Sequence, residues 1–237
     1  MLRWLVETDA GLLTRIAVGV CIFAVLGIVD WRRNGPRATR WREYGVLFIT
    51  VAAACAYGAI NDQITSRISW EYFYYDKELD KVLGPQVPPD AGALHWEAAK
   101  VGLKATWSAG LILGVALLLA NNPRKGVPRL RNRELVARLP MMFAVAAGLG
   151  AIFGWLGYEG WLTNLSGEFQ DAVKTNLFRP QRLMCTWGIH LGGYIGALVG
   201  TIMACVKVMQ LRLRRTAGYS GSGAASTGER LLRRDRF

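Results

Sequence analysis

Hydrophobic residues in this chain are gathered into five long runs that are separated by charged segments. Each run covers about 17 to 22 residues, the length that an α-helix needs to cross the roughly 30 Å hydrocarbon layer of a bilayer. The pattern therefore predicts five transmembrane spans. We place them near residues 11–29, 44–60, 101–120, 139–157 and 185–206.

The polar positions within these runs indicate the fold class. A helix of a soluble protein carries polar residues every three or four positions, and neither 51–56 nor 111–120 does so. Strands of a membrane barrel would alternate polar and apolar residues over about ten positions, and the runs do not alternate. We therefore predict an all-α fold, a polytopic transmembrane helical bundle that occupies residues 1–208.

Positive charge is concentrated on one side of the predicted spans. Residues 30–43, 121–138 and 207–237 together hold 19 of the 29 Lys and Arg, whereas 61–97 holds seven acids against three bases. Because basic loops remain in the cytoplasm, we expect the N-terminus outside, the segment 61–97 outside and the C-terminus inside. The net charge of +12 is then a topology signal, and it indicates a lipid bilayer as partner rather than nucleic acid.

The C-terminal residues differ in composition from the spans. Residues 217–228 are mostly Gly, Ser, Ala and Thr, and an Arg-rich segment follows at 230–236. This composition predicts that 209–237 is a basic, disordered cytoplasmic tail attracted to the anionic inner leaflet. The expected location is a bacterial cytoplasmic membrane.

Glycine recurs at intervals of four residues in the fifth predicted span. Small residues on one helix face allow two helix backbones to approach closely inside a membrane. We expect this face either to pack within the bundle or to form a homo-oligomeric contact through span 5. The residues are Gly188, Gly192, Gly196 and Gly200.

A polar segment follows the second predicted span and is the main candidate for chemistry. If the helix continued through it, Gln63, Arg67 and Glu71 would share one face, and Arg67 and Glu71 would pair at i, i+4 spacing. Ionisable side chains at a membrane edge indicate either a functional site or a structural ion pair that fixes a helix end. The candidate polar cluster comprises Asn61, Asp62, Gln63, Arg67, Glu71, Tyr72, Glu159 and His190.

His190 lies inside the fifth apolar run, one turn from its start. It either hydrogen-bonds a neighbouring helix or faces Asp62, Glu71 or Glu159 in a site that carries protons or metal. His190, Asp62 and Glu71 are weak candidates for metal ligands, because their spacing matches no metal-binding motif. The sequence names no cofactor.

The string Asn61-Asp-Gln-Ile-Thr-x-Arg-Ile-Ser-x-Glu-Tyr-Phe73, with Trp187-x-x-His190 downstream, resembles a family of uncharacterised bacterial multi-pass membrane proteins. A similar string in that family often carries His where this chain has Asn61. The resemblance covers about thirteen residues well and implies a membrane location but no particular activity. The change to Asn61 removes a potential ligand and so weakens a metal site in this chain.

The sequence predicts an accessory or structural membrane subunit, because few charges lie inside the spans. Two alternatives use the same polar cluster: a small-solute or proton-linked transporter, and a membrane-embedded metal-dependent enzyme. Nucleotide-binding, dinucleotide-binding and nucleophile-elbow motifs are absent from the sequence. Enzymatic activity is therefore the less favoured expectation.

Overall fold

A computed structural model describes residues 9–122, 127–165 and 179–234, with side chains of the last helix described as far as Thr216. The chain forms two compact units, Met1–Phe48 and Ile49–Phe237. The described residues fold into helices joined by loops. The α-helices are α1 (Asp9–Asn34), α2 (Arg40–Ile68), α3 (Asp80–Leu83), α4 (Ala91–Ala120), α5 (Asn132–Val136), α6 (Leu139–Tyr158) and α7 (Pro180–Arg234).

Four stretches of the described chain are long and apolar enough to cross a membrane: Arg40–Ile68, Ala91–Ala120, Asn132–Tyr158 and Pro180–Thr216. They contain predicted spans 2 to 5, and the chain is accordingly a multi-pass integral membrane protein. Predicted span 1 forms helix α1 but is not among the four, so the fifth span stays a prediction. Outward apolar side chains such as Ile152 and Ile202, 52% and 56% exposed, suit a lipid environment.

In the first unit, the side chain of Asp30 stabilises the connection between α1 and α2. Its carboxylate accepts hydrogen bonds from the backbone N–H groups of Thr39 and Arg40, both at 3.0 Å. These N–H groups belong to the start of α2, where the helix offers no internal acceptor. The hydrogen bond from Arg40 is the main reason why the pKa of the Asp30 carboxyl is lowered.

Helix starts in the second unit follow local sequence signals. Asp90 accepts a hydrogen bond from the Ala93 N–H at 2.7 Å and so caps α4. Pro140 lies in the first turn of α6, where a missing backbone N–H costs nothing. The sequence thus determines where these two helices begin.

The glycine face predicted on span 5 packs against α6 within the same chain. A Cβ atom added to Gly192 would lie 2.7 Å from the Phe153 Cβ, and one on Gly196 would lie 2.6 Å from the Ala146 Cα. The backbones of α6 and α7 therefore approach so closely that only glycine, whose side chain is a hydrogen atom, fits at these positions. Because α6 covers this face, the glycines are not available to a second copy. The homo-oligomer through span 5 stays a prediction.

Helix α7 continues past the predicted boundary between the membrane domain and the tail. It runs without a break from Pro180 to Arg234. Arg212, on the tail side of that boundary, is only 4% exposed, and Arg215 pairs with Glu134 at 2.5 Å. Ordered contacts therefore extend beyond residue 209, because these arginines bind groups in the 120–134 region. Disorder beyond Thr216 stays a prediction.

The predicted orientation can be tested by cysteine labelling of intact cells. In a background without the four native cysteines, we expect Gly84→Cys to react with a membrane-impermeant thiol reagent. Gly126→Cys, in the Arg-rich segment predicted to be cytoplasmic, should react only after the cells are opened. Labelling of Gly126→Cys but not of Gly84→Cys in intact cells would reverse the orientation.

Candidate functional site

A break in the helix after α2 shapes the polar region at this end of the bundle. Helix α2 ends at Ile68, and the Ser69 hydroxyl accepts a hydrogen bond from the Tyr72 N–H at 3.3 Å. A π-helix follows at Tyr72–Asp76, with Tyr72, Phe73 and Tyr74 buried. Such wide turns are frequent at functional sites because they redirect side chains. Here the turn stacks the Tyr72 ring on His190, with centroids 4.9 Å apart and planes at 16°.

Asp62 and His190 meet between α2 and α7. The Asp62 Oδ1 lies 3.8 Å from His190 Nε2, and Asn61 Nδ2 donates to the same oxygen at 3.3 Å. Asp62 is 4% exposed. A carboxylate and an imidazole buried together in a membrane-spanning region are costly unless they serve each other or a ligand. The sequence analysis left open whether His190 faces Asp62, Glu71 or Glu159, and Asp62 is the carboxylate that lies beside it.

Thr65 determines which nitrogen of His190 carries the proton. The Thr65 hydroxyl donates to the Asn61 carbonyl at 3.0 Å, and its oxygen lies 3.4 Å from His190 Nε2. Because that hydroxyl proton is already used, the ring fits best with a proton on Nε2 directed at Thr65 and Asp62. Nδ1 is then an acceptor, with no hydrogen-bond partner among the described residues.

Lys77 supplies the positive charge of the site. Its ammonium lies 2.7 Å from the Asp76 Oδ2 and 4.8 Å from the centroid of the Tyr72 ring, within the range of a cation–π contact. Lys77, Asp62 and His190 all line one cavity. We call Asn61, Asp62, Lys77 and His190 the polar end of this cavity.

The cavity has a volume of about 470 Å³ and lies between α2, α4, α6 and α7. It follows α7 from Ile189 to Thr201, a distance of roughly 18 Å at 1.5 Å per residue. Two hydroxyl groups in its wall already donate hydrogen bonds within their own helices. Thr106 donates to the Gly102 carbonyl at 2.8 Å, and Thr201 donates to the Ala197 carbonyl at 2.7 Å. Beyond the polar end the wall is mostly apolar, with the phenol groups of Tyr57 and Tyr194 as further polar atoms. It includes Tyr57, Leu113, Met142, Phe143, Ile189 and Leu198.

Gln63 and Arg67, two other predicted members of the cluster, belong to a separate contact with α4. Gln63 Nε2 donates to the His95 carbonyl at 2.6 Å, and Arg67 donates to the Gln63 side-chain oxygen at 3.0 Å. In the same contact, Ser66 Oγ lies 2.8 Å from His95 Nδ1. These interactions join α2 to the start of α4 and do not reach the cavity.

The predicted positions of Glu71 and Glu159 are wrong. Glu71 is 1% exposed, and its carboxylate accepts a hydrogen bond from the Arg179 backbone N–H at 3.1 Å. It therefore stabilises the start of α7, where a negative charge is favourable. The i, i+4 pair with Arg67 requires a continuous helix, and the break at Ser69 removes it. Glu159 lies exposed at the C-terminal end of α6.

The weak metal candidates are not assembled into a ligand set. Within the described parts of the chain, no three His, Cys, Asp or Glu residues are placed to hold a metal ion. Asp62 and His190 are close together, whereas Glu71 is bound to the start of α7. The site therefore offers one carboxylate and one imidazole.

Lys77 and Thr65 are the site residues that the sequence analysis missed. Lys77 comes after the aromatic run Tyr72–Tyr75 and Asp76, and the pair of opposite charges at the end of an aromatic run was the available signal. Thr65 lies one turn after Asn61 and so on the same face as the polar residues. Neither spacing is specific enough to assign a role without the π-helix.

Comparisons with known proteins give one distant similarity. Digeranylgeranylglyceryl phosphate synthase of Thermococcus sibiricus (strain DSM 12597 / MM 739) is 26% identical over 197 residues, covering 73% of this chain and 67% of that protein. At this identity the chain is similar to the synthase without being assigned to its family. No family model matches the sequence, and no solved structure matches it.

Proposed function

We propose that this membrane protein binds the chain of a lipid in the cavity, with the lipid head group at the polar end. The observation that carries the proposal is the cavity itself: an apolar wall about 18 Å long that ends at a buried carboxylate, an imidazole and an ammonium group. Ligand sites are commonly of this size and combine an apolar lining with a few convergent polar groups. A membrane lipid has the matching division into chain and head.

Two further observations support a ligand rather than a packing defect. Away from the cavity, helices in this unit pack to backbone contact, as at Gly157, where an added Cβ would lie 2.8 Å from the Met184 carbonyl carbon. The cavity is therefore an exception within a tightly packed bundle. In addition, the similar synthase carries a name that describes a glyceryl phosphate bearing two geranylgeranyl chains. That name favours a long-chain lipid as the ligand class.

The accessory-subunit role stays a prediction and is compatible with lipid binding. It is supported if a partner copurifies in stoichiometric amount in mild detergent. Transport and metal-dependent catalysis remain alternatives for the same residues, and no contact in the described residues favours either of them over binding.

Filling the cavity tests the proposal. Gly193 lines the cavity, and a Cβ atom added there meets nothing within 4 Å. We expect Gly193→Leu to fold normally and to lose most copurifying lipid, because its side chain occupies the space of the ligand chain. The measurement is native mass spectrometry of the detergent-purified protein, with the released lipids identified by extraction.

The matched control is Gly148→Leu. A Cβ atom at Gly148 also meets nothing within 4 Å, but this residue lies on α6 away from the cavity lining. We expect Gly148→Leu to retain lipid at the wild-type level. Equal lipid content in all three proteins, or no bound lipid in the wild type, would contradict the proposal.

A further inference from the structure

The polar end of the cavity has a specific set of hydrogen-bonding atoms. Asp62 Oδ1 accepts a hydrogen bond from Asn61 Nδ2 and faces His190 Nε2. The other carboxyl oxygen, Oδ2, has no protein partner within the described residues. The Lys77 ammonium lies 2.7 Å from Asp76 Oδ2 and over the Tyr72 ring. Because an ammonium group carries three N–H donors, it can donate a further hydrogen bond to a ligand. The polar end therefore presents a carboxylate acceptor and an ammonium donor to the same cavity.

The balance of charge at the polar end disfavours an anionic head group. The single ammonium of Lys77 is already paired with Asp76, and Asp62 adds a second carboxylate. A phosphate placed here would lie beside the Asp62 carboxyl, and the one ammonium that lines the cavity in the described part of the chain already lies against Asp76; burying an anion without a surplus of positive charge is costly. A group that both donates and accepts while remaining uncharged fits these atoms best.

The cavity is long enough for the chain of a lipid. Its wall follows α7 for roughly 18 Å, and its volume is about 470 Å³. Leu198 and Tyr194 belong to this wall and are also exposed on the outside of the bundle, so a chain can reach the cavity from the surrounding lipid.

We infer that the ligand is a long-chain alcohol whose hydroxyl donates a hydrogen bond to Asp62 and accepts one from Lys77. This inference rests on the proposed lipid binding and names the class of lipid. The apolar wall holds the chain, and Tyr72 and His190, stacked on each other, form a rigid aromatic boundary beside the hydroxyl. No bond is made or broken in this binding step.

Three ligands with one chain and different heads test the inference. Geranylgeraniol keeps both hydrogen bonds, its methyl ether keeps only the acceptor, and geranylgeranyl monophosphate replaces the hydroxyl with an anion. The probes are titrated into the purified, delipidated protein in detergent, and binding is followed by tryptophan fluorescence and native mass spectrometry. We expect the alcohol to bind about tenfold more tightly than the ether, because the hydrogen bond to the buried Asp62 carboxyl is lost.

Variants separate the two hydrogen bonds. Asp62→Asn should narrow the difference in affinity between the alcohol and the ether, because the amide oxygen that remains is a weaker acceptor than a carboxyl group. Lys77→Met should weaken the alcohol and the ether alike, leaving their ratio near the wild-type value, because both oxygens accept from the ammonium. Asp90→Asn is the control: it makes the same chemical change at an exposed helix cap where Asn serves as well as Asp, and both affinities should be unchanged.

The outcomes distinguish the inference from the proposed function. Tighter binding of the monophosphate than of the alcohol, or equal binding of alcohol and ether by the wild type, would overturn the alcohol assignment and leave lipid binding intact. If none of the probes binds and Gly193→Leu leaves the copurifying lipid unchanged, lipid binding itself fails. The wild-type comparison decides the matter even if Asp62→Asn does not fold.

Discussion

Gly188→Ala is expected to abolish the folded state or to lower its free energy of unfolding by about 3 kcal/mol, since the added methyl group overpacks a backbone contact. A Cβ atom at Gly188 would fall inside the contact distance of the Phe153 carbonyl oxygen and lie 2.8 Å from the Phe153 carbonyl carbon. These are backbone atoms of α6 and cannot rotate away as a side chain would. The α6–α7 contact must therefore open along its length.

The control for this prediction is Gly148→Ala on α6. A Cβ atom there meets nothing within 4 Å, so the only effect is the better helix propensity of Ala, worth up to about 1 kcal/mol. The measurement is the unfolding transition in mild detergent together with the fraction of monodisperse protein. Wild-type stability of Gly188→Ala would mean that α6 and α7 do not meet through this face.

The transmembrane helices could be predicted from the sequence because their signal is local. An apolar run of bilayer length specifies a helix whatever surrounds it, and predicted spans 2 to 5 each lie inside one of the four long apolar helices. The glycine face of α7 was predictable for the same reason, since a four-residue interval places Gly188 and Gly192 on one side. Its partner, α6, was not specified by the sequence.

The polar cluster was predicted only in part because its geometry depends on a local break. A continuous helix would have carried Glu71 onto the face of Arg67. The break at Ser69 and the π-helix at Tyr72–Asp76 rotate the following side chains instead, which brings Tyr72 onto His190 and Glu71 to the start of α7. Burial of bulky aromatic side chains decides this turn, and burial is a tertiary effect that spacing in the sequence does not reveal.

The extent of ordered structure in the last helix was underestimated because composition alone suggested a solvated tail. Arg212 is a basic residue near a basic terminus, and nothing adjacent to it in the sequence indicates a partner. Its partners lie some 84 to 92 residues earlier in the chain. A capping contact between residues so far apart in the chain can be recognised only from the three-dimensional arrangement of the two helices.

Arg212→Met is expected to lower the free energy of unfolding by about 3 kcal/mol, because three carbonyl groups around the buried guanidinium lose a charged donor together. The guanidinium donates to the carbonyl groups of Ala120 and Asn122, each at 2.6 Å, and to that of Pro128 at 3.2 Å. The Ala120 carbonyl ends α4 and has no acceptor role left inside that helix. Arg212 therefore caps the C-terminal end of α4 and links Asn122 and Pro128 to α7.

Two further variants show whether the geometry of the guanidinium or only its charge matters. Arg212→Lys should recover less than half of the lost stability, because one ammonium group cannot reach three carbonyls that diverge around a planar fork. Arg214→Met, the same change at an exposed position of the same helix, should leave the unfolding transition unchanged. If Arg212→Met and Arg214→Met unfold alike, the buried arginine does not stabilise the end of α4, and the ordered part of α7 ends closer to the predicted boundary at residue 209.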